Sequence, residues 1–169
     1  MRAAGLVLAI VLALALQTTL ARFVVRGTVA VDLVLVVVVY VGLTSGPVAG
    51  LLSGAFGGLV QDALSSGIIG IGGLAKTIVG FLSGIVGTQF IVAQPLPRFV
   101  VFFAATLLHA VVFDGLHLLL ELRPVGARYA EIASRALGNA IIGVVAFQMG
   151  EFLPGALERR RTRVQRMRR

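Results

Sequence analysis

The chain has 169 residues, of which 58% are hydrophobic and only 13% are charged, and its mean hydropathy is +1.01. A water-soluble domain carries about 25% charged residues, so this composition excludes an ordinary soluble protein and predicts one polytopic membrane domain. The absence of cysteine excludes a disulfide framework and a thiolate metal site.

The first two predicted helices differ in character. Helix 1 lies between Arg2 and Arg22, an uncharged stretch long enough to cross about 30 Å of hydrocarbon. A cleaved signal peptide is the alternative reading of this segment. Helix 2 is predicted at about 29–44, where a Val/Leu run would indicate a buried strand in water. In lipid an open strand leaves its backbone polar groups unsatisfied, so a helix is favoured.

Turn residues separate the four remaining predicted helices, which form an all-α bundle with the first two. Pro47 suits the first turn of a new helix, and the predicted helices 3 to 6 cover about 47–64, 74–92, 99–120 and 132–152. Six spans are therefore predicted. Five is the alternative, because helices 2 and 3 are the least distinct.

The carboxyl terminus is strongly basic. We predict a transmembrane domain over 1–157 and a tail over 158–169 whose seven arginines are Arg159, Arg160, Arg161, Arg163, Arg166, Arg168 and Arg169. The positive-inside rule predicts a cytoplasmic tail and, with six spans, a cytoplasmic amino terminus. Next to a membrane, such arginines favour anionic lipid headgroups over nucleic acid, at about 1 kcal/mol per basic residue.

Glycines recur every four residues on both sides of the link between helices 3 and 4. The candidate helix-packing or partner-binding residues on this pattern are Gly50, Gly54, Gly58, Asp62, Lys76, Gly80 and Gly84. Small residues four apart share one helix face and let two backbones approach closely in lipid. Helices 3 and 4 are therefore predicted to form a tight antiparallel hairpin.

Asp62 and Lys76 interrupt this apolar hairpin with opposite charges near its outer end. An ion pair between them is the first expectation. Exposure of both charges at the membrane interface is the second. A ligand or ion pathway is the third, because ionisable residues inside membranes often mark function.

A second polar group lies on helix 5. Asp114, His117 and Glu121 are spaced to share one outer face, whereas His109 is predicted to point away from Asp114. These three side chains could contact a divalent metal, but one helix alone gives an incomplete site. No catalytic motif accompanies them, so we predict no metal, no cofactor and no enzyme activity.

Several ordered motifs resemble the MreD family of rod shape-determining membrane proteins. The matching residues are Gln17, Asp32, Tyr40, Gly58, Asp62, Ser66 and Gly67, followed by Gly70 or Gly72. Val31 departs from the proline that this family usually has there, and the arginine tail is longer than expected.

This resemblance implies a six-helix fold similar to the substrate-binding subunits of energy-coupling factor transporters. It also implies a non-enzymatic scaffold in the bacterial inner membrane, acting in lateral peptidoglycan synthesis. The implied partner is an MreC-like single-span protein, which connects indirectly to MreB, to RodA and to the transpeptidase that is the partner of RodA. The alternative function is that of a vitamin-binding transporter subunit, although such a site needs several convergent polar or aromatic groups.

Overall fold

A computed structural model describes residues 3–23, 31–65, 68–90, 94–120 and 129–167. These ranges contain six helices and no strand: α1 (Ala3–Phe23), α2 (Leu33–Ser45), α3 (Pro47–Leu64), α4 (Ile71–Gln89), α5 (Pro95–Leu119) and α6 (Tyr129–Met167). The prediction of six helices is confirmed, and so is the helical assignment of the Val-rich run.

Several helix boundaries differ from the predicted ones: α4 covers Ile71–Gln89 rather than about 74–92, and α6 begins at Tyr129 rather than near 132. Three further differences have local reasons. α2 begins only at Leu33, because Asp32 before it is extended and its carboxylate accepts a hydrogen bond from the Leu35 amide. α5 begins at Pro95 rather than near residue 99, since proline in a first turn lacks an amide that would be unpaired there anyway. α6 continues to Met167 rather than ending near residue 152, and arginine is a good helix former.

The short helix α2 lies at the centre of the bundle. It contacts all five other helices, and its buried residues point in every direction around its axis. A helix that is apolar all round is expected to be enclosed by protein or lipid. At 13 residues, α2 is about 20 Å long, less than a hydrocarbon core, and the surrounding helices cover it.

Helices α3 and α4 touch through their backbones. A Cβ atom added to Gly54 would overlap the Lys76 carbonyl, and one added to Gly80 would overlap the Gly50 carbonyl. A Cβ on Gly42 of α2 would lie only 2.7 Å from the Gly80 oxygen. Glycine is therefore required along the seam at which α2, α3 and α4 meet.

Within the described ranges, three helices are long and apolar enough to cross a membrane: Ile71–Gln89, Pro95–Leu119 and Tyr129–Gly150. Two shorter apolar stretches, Val7–Thr19 and Leu33–Ser45, accompany them. The starts of α2, α4 and α6 and the carboxyl-terminal part of α3 lie at one end of the bundle, because residues there line a single cavity.

Candidate functional site

A polar cavity of about 300 Å³ lies at the end of the bundle where α2, α4 and α6 begin. Its lining residues come from α3, α4, α5, α6 and the start of α2: Asp32, Gln61, Asp62, Ser65, Gly72, Lys76, His109, Ala110, Phe113, Asp114, Glu131, Ile132 and Arg135. Seven of these side chains are ionisable, which is unusual inside a chain with so few charged residues.

The cavity floor is a buried charge network centred on Lys76. Its ammonium lies 2.9 Å from Asp32 Oδ2 and 3.3 Å from His109 Nε2. The Lys76 side chain is 4% exposed and that of Asp32 is 9% exposed. An ammonium group can only donate, so His109 Nε2 accepts from Lys76. The network therefore neutralises the buried lysine within the protein.

The same network completes the amino terminus of α2. The Asp32 carboxylate accepts from the Leu35 amide at 3.0 Å, and the Gln17 side-chain oxygen of α1 accepts from the Leu33 amide at 3.2 Å. The first amides of a helix have no partner within the helix, and inside a membrane such groups are costly. Gln17 and Asp32 supply the missing acceptors.

Asn139 of α6 ties two further helices to this point. Its side-chain oxygen accepts from the Asp32 amide at 2.9 Å, and its side-chain nitrogen donates to the Thr106 hydroxyl of α5 at 3.1 Å. Asn139 is completely buried. Each of its two hydrogen bonds therefore replaces one that water would otherwise make.

The predicted ion pair between Asp62 and Lys76 is wrong. Asp62 Oδ2 instead accepts from the backbone amides of Gly70, at 2.9 Å, and Gly73, at 3.0 Å. Gly70 precedes α4 in a left-handed conformation, with φ of 110°, and has no side chain to cap the helix. Asp62 supplies that cap from α3, where the positive end of the α4 dipole favours a carboxylate.

The expectation that both charges reach the membrane interface is also wrong for Lys76. The residue is 3% exposed and lies between α2 and α5. Lys76 follows the amino terminus of α4 by one turn and points inward, so it meets Asp32 rather than water.

The walls of the cavity hold the remaining charged residues. Arg135 Nη2 donates to Glu131 Oε1 at 3.0 Å within α6, and Asp114 lies on the α5 side. Among the described residues, two buried side-chain atoms have no hydrogen-bond partner, Gln61 Oε1 and Arg135 Nε.

Only some residues of the predicted polar face of α5 belong to this site. Asp114 lines the cavity, whereas the His117 ring contacts the Phe113 carbonyl through Nδ1 at 2.9 Å. Glu121 lies outside the described residues. His109 was predicted to point away from Asp114. Both residues nevertheless line the cavity, because the cavity extends across two faces of α5. The described residues contain no group of three potential ligands able to hold a metal.

The cap residues Gln17, Asp32 and Asp62 are among the motif residues noted in the sequence. Residues 2–127 match the model of the family described as rod shape-determining protein MreD. The chain belongs to the MreD family. No curated protein and no solved structure gives a significant match to it.

The MreD-like motif residues occupy structural positions in this fold. Gln17 and Asp32 cap α2, Asp62 caps α4, and Gly58 would place a Cβ only 2.5 Å from Gly73 Cα. Tyr40 packs on Phe147 with ring centroids 4.6 Å apart. Ser66 and Gly67 lie outside the described residues.

Sequence reasoning missed His109 and Asn139 as members of this MreD-family site. Both are isolated polar residues in apolar helices, and such residues are expensive in a membrane unless they are partnered. That cost was the available signal. It indicates that a partner exists, but it does not identify the partner.

Arg98 is a further buried charge that the sequence did not single out. It lies in the first turn of α5, 4% exposed, with its guanidinium 4.7 Å from the centre of the Phe147 ring. It belongs to the end of the bundle opposite the cavity.

Proposed function

We propose that this MreD-family protein is a non-enzymatic membrane scaffold that supports rod shape and lateral peptidoglycan synthesis. The observation that carries the proposal is the family match, which spans residues 2–127 and therefore includes α1 to α5. Membership of a shape-determining family, together with apolar helices long enough to cross a bilayer, favours a role within the membrane.

The proposed partner is an MreC-like protein with one membrane span. Through it the scaffold would connect to MreB filaments, to RodA and to the transpeptidase that is the partner of RodA. Tight packing at the seam of α2, α3 and α4 gives such a scaffold a rigid centre, because backbone contacts leave little room for helices to slide. The outer faces of α1 and α5 offer apolar surface to lipid or to a partner helix.

The proposed location is the bacterial inner membrane, with six spans and both termini in the cytoplasm. The basic tail favours this orientation, since arginines resist translocation. The seven arginines of 158–169 would then face anionic headgroups. The cavity, at the opposite end of the bundle from the tail, would open on the outer side of the membrane.

The alternative, a vitamin-binding transporter subunit, has one observation in its favour, the polar cavity of about 300 Å³. Small-molecule pockets are usually lined mainly by apolar and aromatic groups, whereas seven of the thirteen lining residues here are ionisable. The family match also points to shape determination. We therefore favour the scaffold.

Gene replacement in the native rod-shaped host tests the proposal. Loss of the gene should give rounded cells, and the wild-type chain should restore rods and co-purify with an MreC-like protein. Gly54→Leu, which forces α3 and α4 apart, should fail in both assays, whereas Gly115→Ala should behave as wild type because a Cβ there meets nothing within 4 Å. Rod-shaped cells after deletion would contradict the proposed function.

A further inference from the structure

We infer that the polar cavity binds a small organic cation, a molecule with a primary ammonium group and a hydrogen-bond acceptor near it. This role is separate from shape determination and does not depend on it. The cavity wall carries hydrogen-bond acceptors without donors, and an ammonium group supplies donors together with a positive charge.

The cavity offers little attraction to an anion. The described lining has two cations, and both are paired: Lys76 with Asp32 at 2.9 Å and Arg135 with Glu131 at 3.0 Å. The Lys76 ammonium also donates to His109, and the residue is only 3% exposed. An incoming carboxylate or phosphate would have to compete with a carboxylate at either cation, and at Lys76 it would break a buried ion pair, which is costly.

The carboxylate of Asp62, by contrast, can attract a cation. Its Oδ2 atom is held by the two amides at the start of α4, and among the described residues it has no cationic partner. Its Oδ1 atom makes no hydrogen bond within the described residues. The carboxylate is thus fixed in position, with one oxygen available to a donor.

The neighbouring residue Gln61 strengthens this assignment. Gln61 lines the same cavity, and its buried Oε1 atom has no hydrogen-bond partner among the described residues. A buried acceptor without a donor costs about 1–3 kcal/mol. An ammonium group has three donors, so one such group bound at Asp62 could also satisfy Gln61 once a rotation of that side chain turns Oε1 toward the cavity.

Two further features of the lining fit this ligand. The Phe113 ring belongs to the cavity wall, and the face of an aromatic ring attracts an ammonium group. On the α6 side, Arg135 lines the cavity, and its buried Nε atom has no hydrogen-bond acceptor among the described residues. A rotation of this side chain would let a hydroxyl or similar acceptor on the ligand reach it. The volume of about 300 Å³ is at the small end of ligand pockets.

Three four-carbon probes of matched size test the inference. The cation is 4-amino-1-butanol, the neutral analogue is 1,4-butanediol and the anion is 4-hydroxybutanoate. Each is titrated into the full-length protein in uncharged detergent at constant ionic strength, with heat of binding and unfolding temperature as readouts. The inference expects saturable binding and a raised unfolding temperature with the cation, and at least roughly tenfold weaker binding of the other two.

Asp62→Asn and Phe113→Leu are the test variants. Asn keeps an oxygen for the α4 amides but lacks the charge, so the unliganded protein should stay folded while cation binding weakens by roughly tenfold or more. Phe113→Leu keeps apolar volume but removes the ring, and should also weaken binding. Glu158→Gln, the same loss of charge in the tail region at the other end of α6, is the control and should bind as wild type.

Three results would overturn the inference. One is the absence of cation binding to the wild-type protein, and a second is equal binding of the three probes. The third is unchanged affinity in Asp62→Asn. None of these outcomes depends on a shape assay, so the inference and the proposed scaffold function can fail separately.

Discussion

The ammonium of Lys76 lies 2.9 Å from the carboxylate of Asp32, and this ion pair joins α4 to the amino terminus of the central helix α2. Both residues are almost completely buried. The pair therefore holds α4 and α2 together inside the bundle. Loss of either partner would leave the other charge buried without compensation.

Breaking this pair should destabilise the protein strongly. Lys76→Met or Asp32→Asn leaves one buried charge without compensation, which in soluble proteins costs about 3–5 kcal/mol. We expect a loss above the maximum of about 1.7 kcal/mol measured for polar contacts between membrane helices. The double variant should lose less than the sum of the two, as measured by unfolding in mixed micelles. Strict additivity would contradict the ion pair.

The pair of Asp62 and Lys76 is the matched control for that cycle. The two residues do not touch each other, since Asp62 binds the amides of Gly70 and Gly73. Separate interactions contribute additively to stability. Asp62→Asn and Lys76→Met should therefore show additive losses, and coupling between them would contradict the observed geometry.

Removal of the α4 cap should have a smaller effect. Asp62→Ala takes the acceptor away from two amides at the start of α4, and loss of a helix cap costs about 0.5–2 kcal/mol. Asp62→Asn should cost less, because its side-chain oxygen can still accept one hydrogen bond. Hydrogen exchange at Gly73 should be faster in Asp62→Ala than in the wild type. Equal exchange would show that the cap is dispensable.

The helices of this fold could be predicted from sequence because long apolar runs and turn residues are local signals. The ion pair could not. The glycine series correctly predicts that Asp62 lies near the start of α4. Its partners there are backbone amides, which every residue except proline has, so the sequence does not identify them. Lys76 meets Asp32 because of the rotation of α4 against α2. That rotation is fixed by contacts between residues distant from each other in sequence, such as Gly42 with Gly80.

The glycine seam should tolerate no side chain at all. Gly54→Ala and Gly58→Ala each place a Cβ against the backbone of α4, so the helices must separate and lose their close packing. We expect a lower unfolding temperature for both variants. Gly115→Ala is the control, because a Cβ there meets nothing within 4 Å and alanine favours a helix. Equal behaviour of all three variants would contradict the tight hairpin.

Substitution of Asn139 should lower the stability of the protein more than loss of one hydrogen bond would. Asn139→Leu removes the acceptor for the Asp32 amide and the donor to Thr106 at once. Each buried group left unpaired costs about 1–3 kcal/mol. Thr106→Val is milder, since it affects only one of the two bonds. A larger loss of stability in Thr106→Val than in Asn139→Leu would contradict the network.

The orientation of the bundle can be tested by labelling, because the chain has no cysteine and so gives no background. Single cysteines at Arg169, Ala127 and Ser65 report on the tail, on the α5–α6 link and on the cavity. Ser65 is exposed and lines the cavity. If both termini are cytoplasmic, a membrane-impermeant thiol reagent applied to intact cells should label Ala127→Cys and Ser65→Cys but not Arg169→Cys, since the arginine tail resists translocation. Labelling after cell lysis controls for accessibility of the tail site. The reverse pattern would contradict six spans with cytoplasmic termini and would turn the cavity toward the cytoplasm, where a different pool of organic cations could reach Asp62.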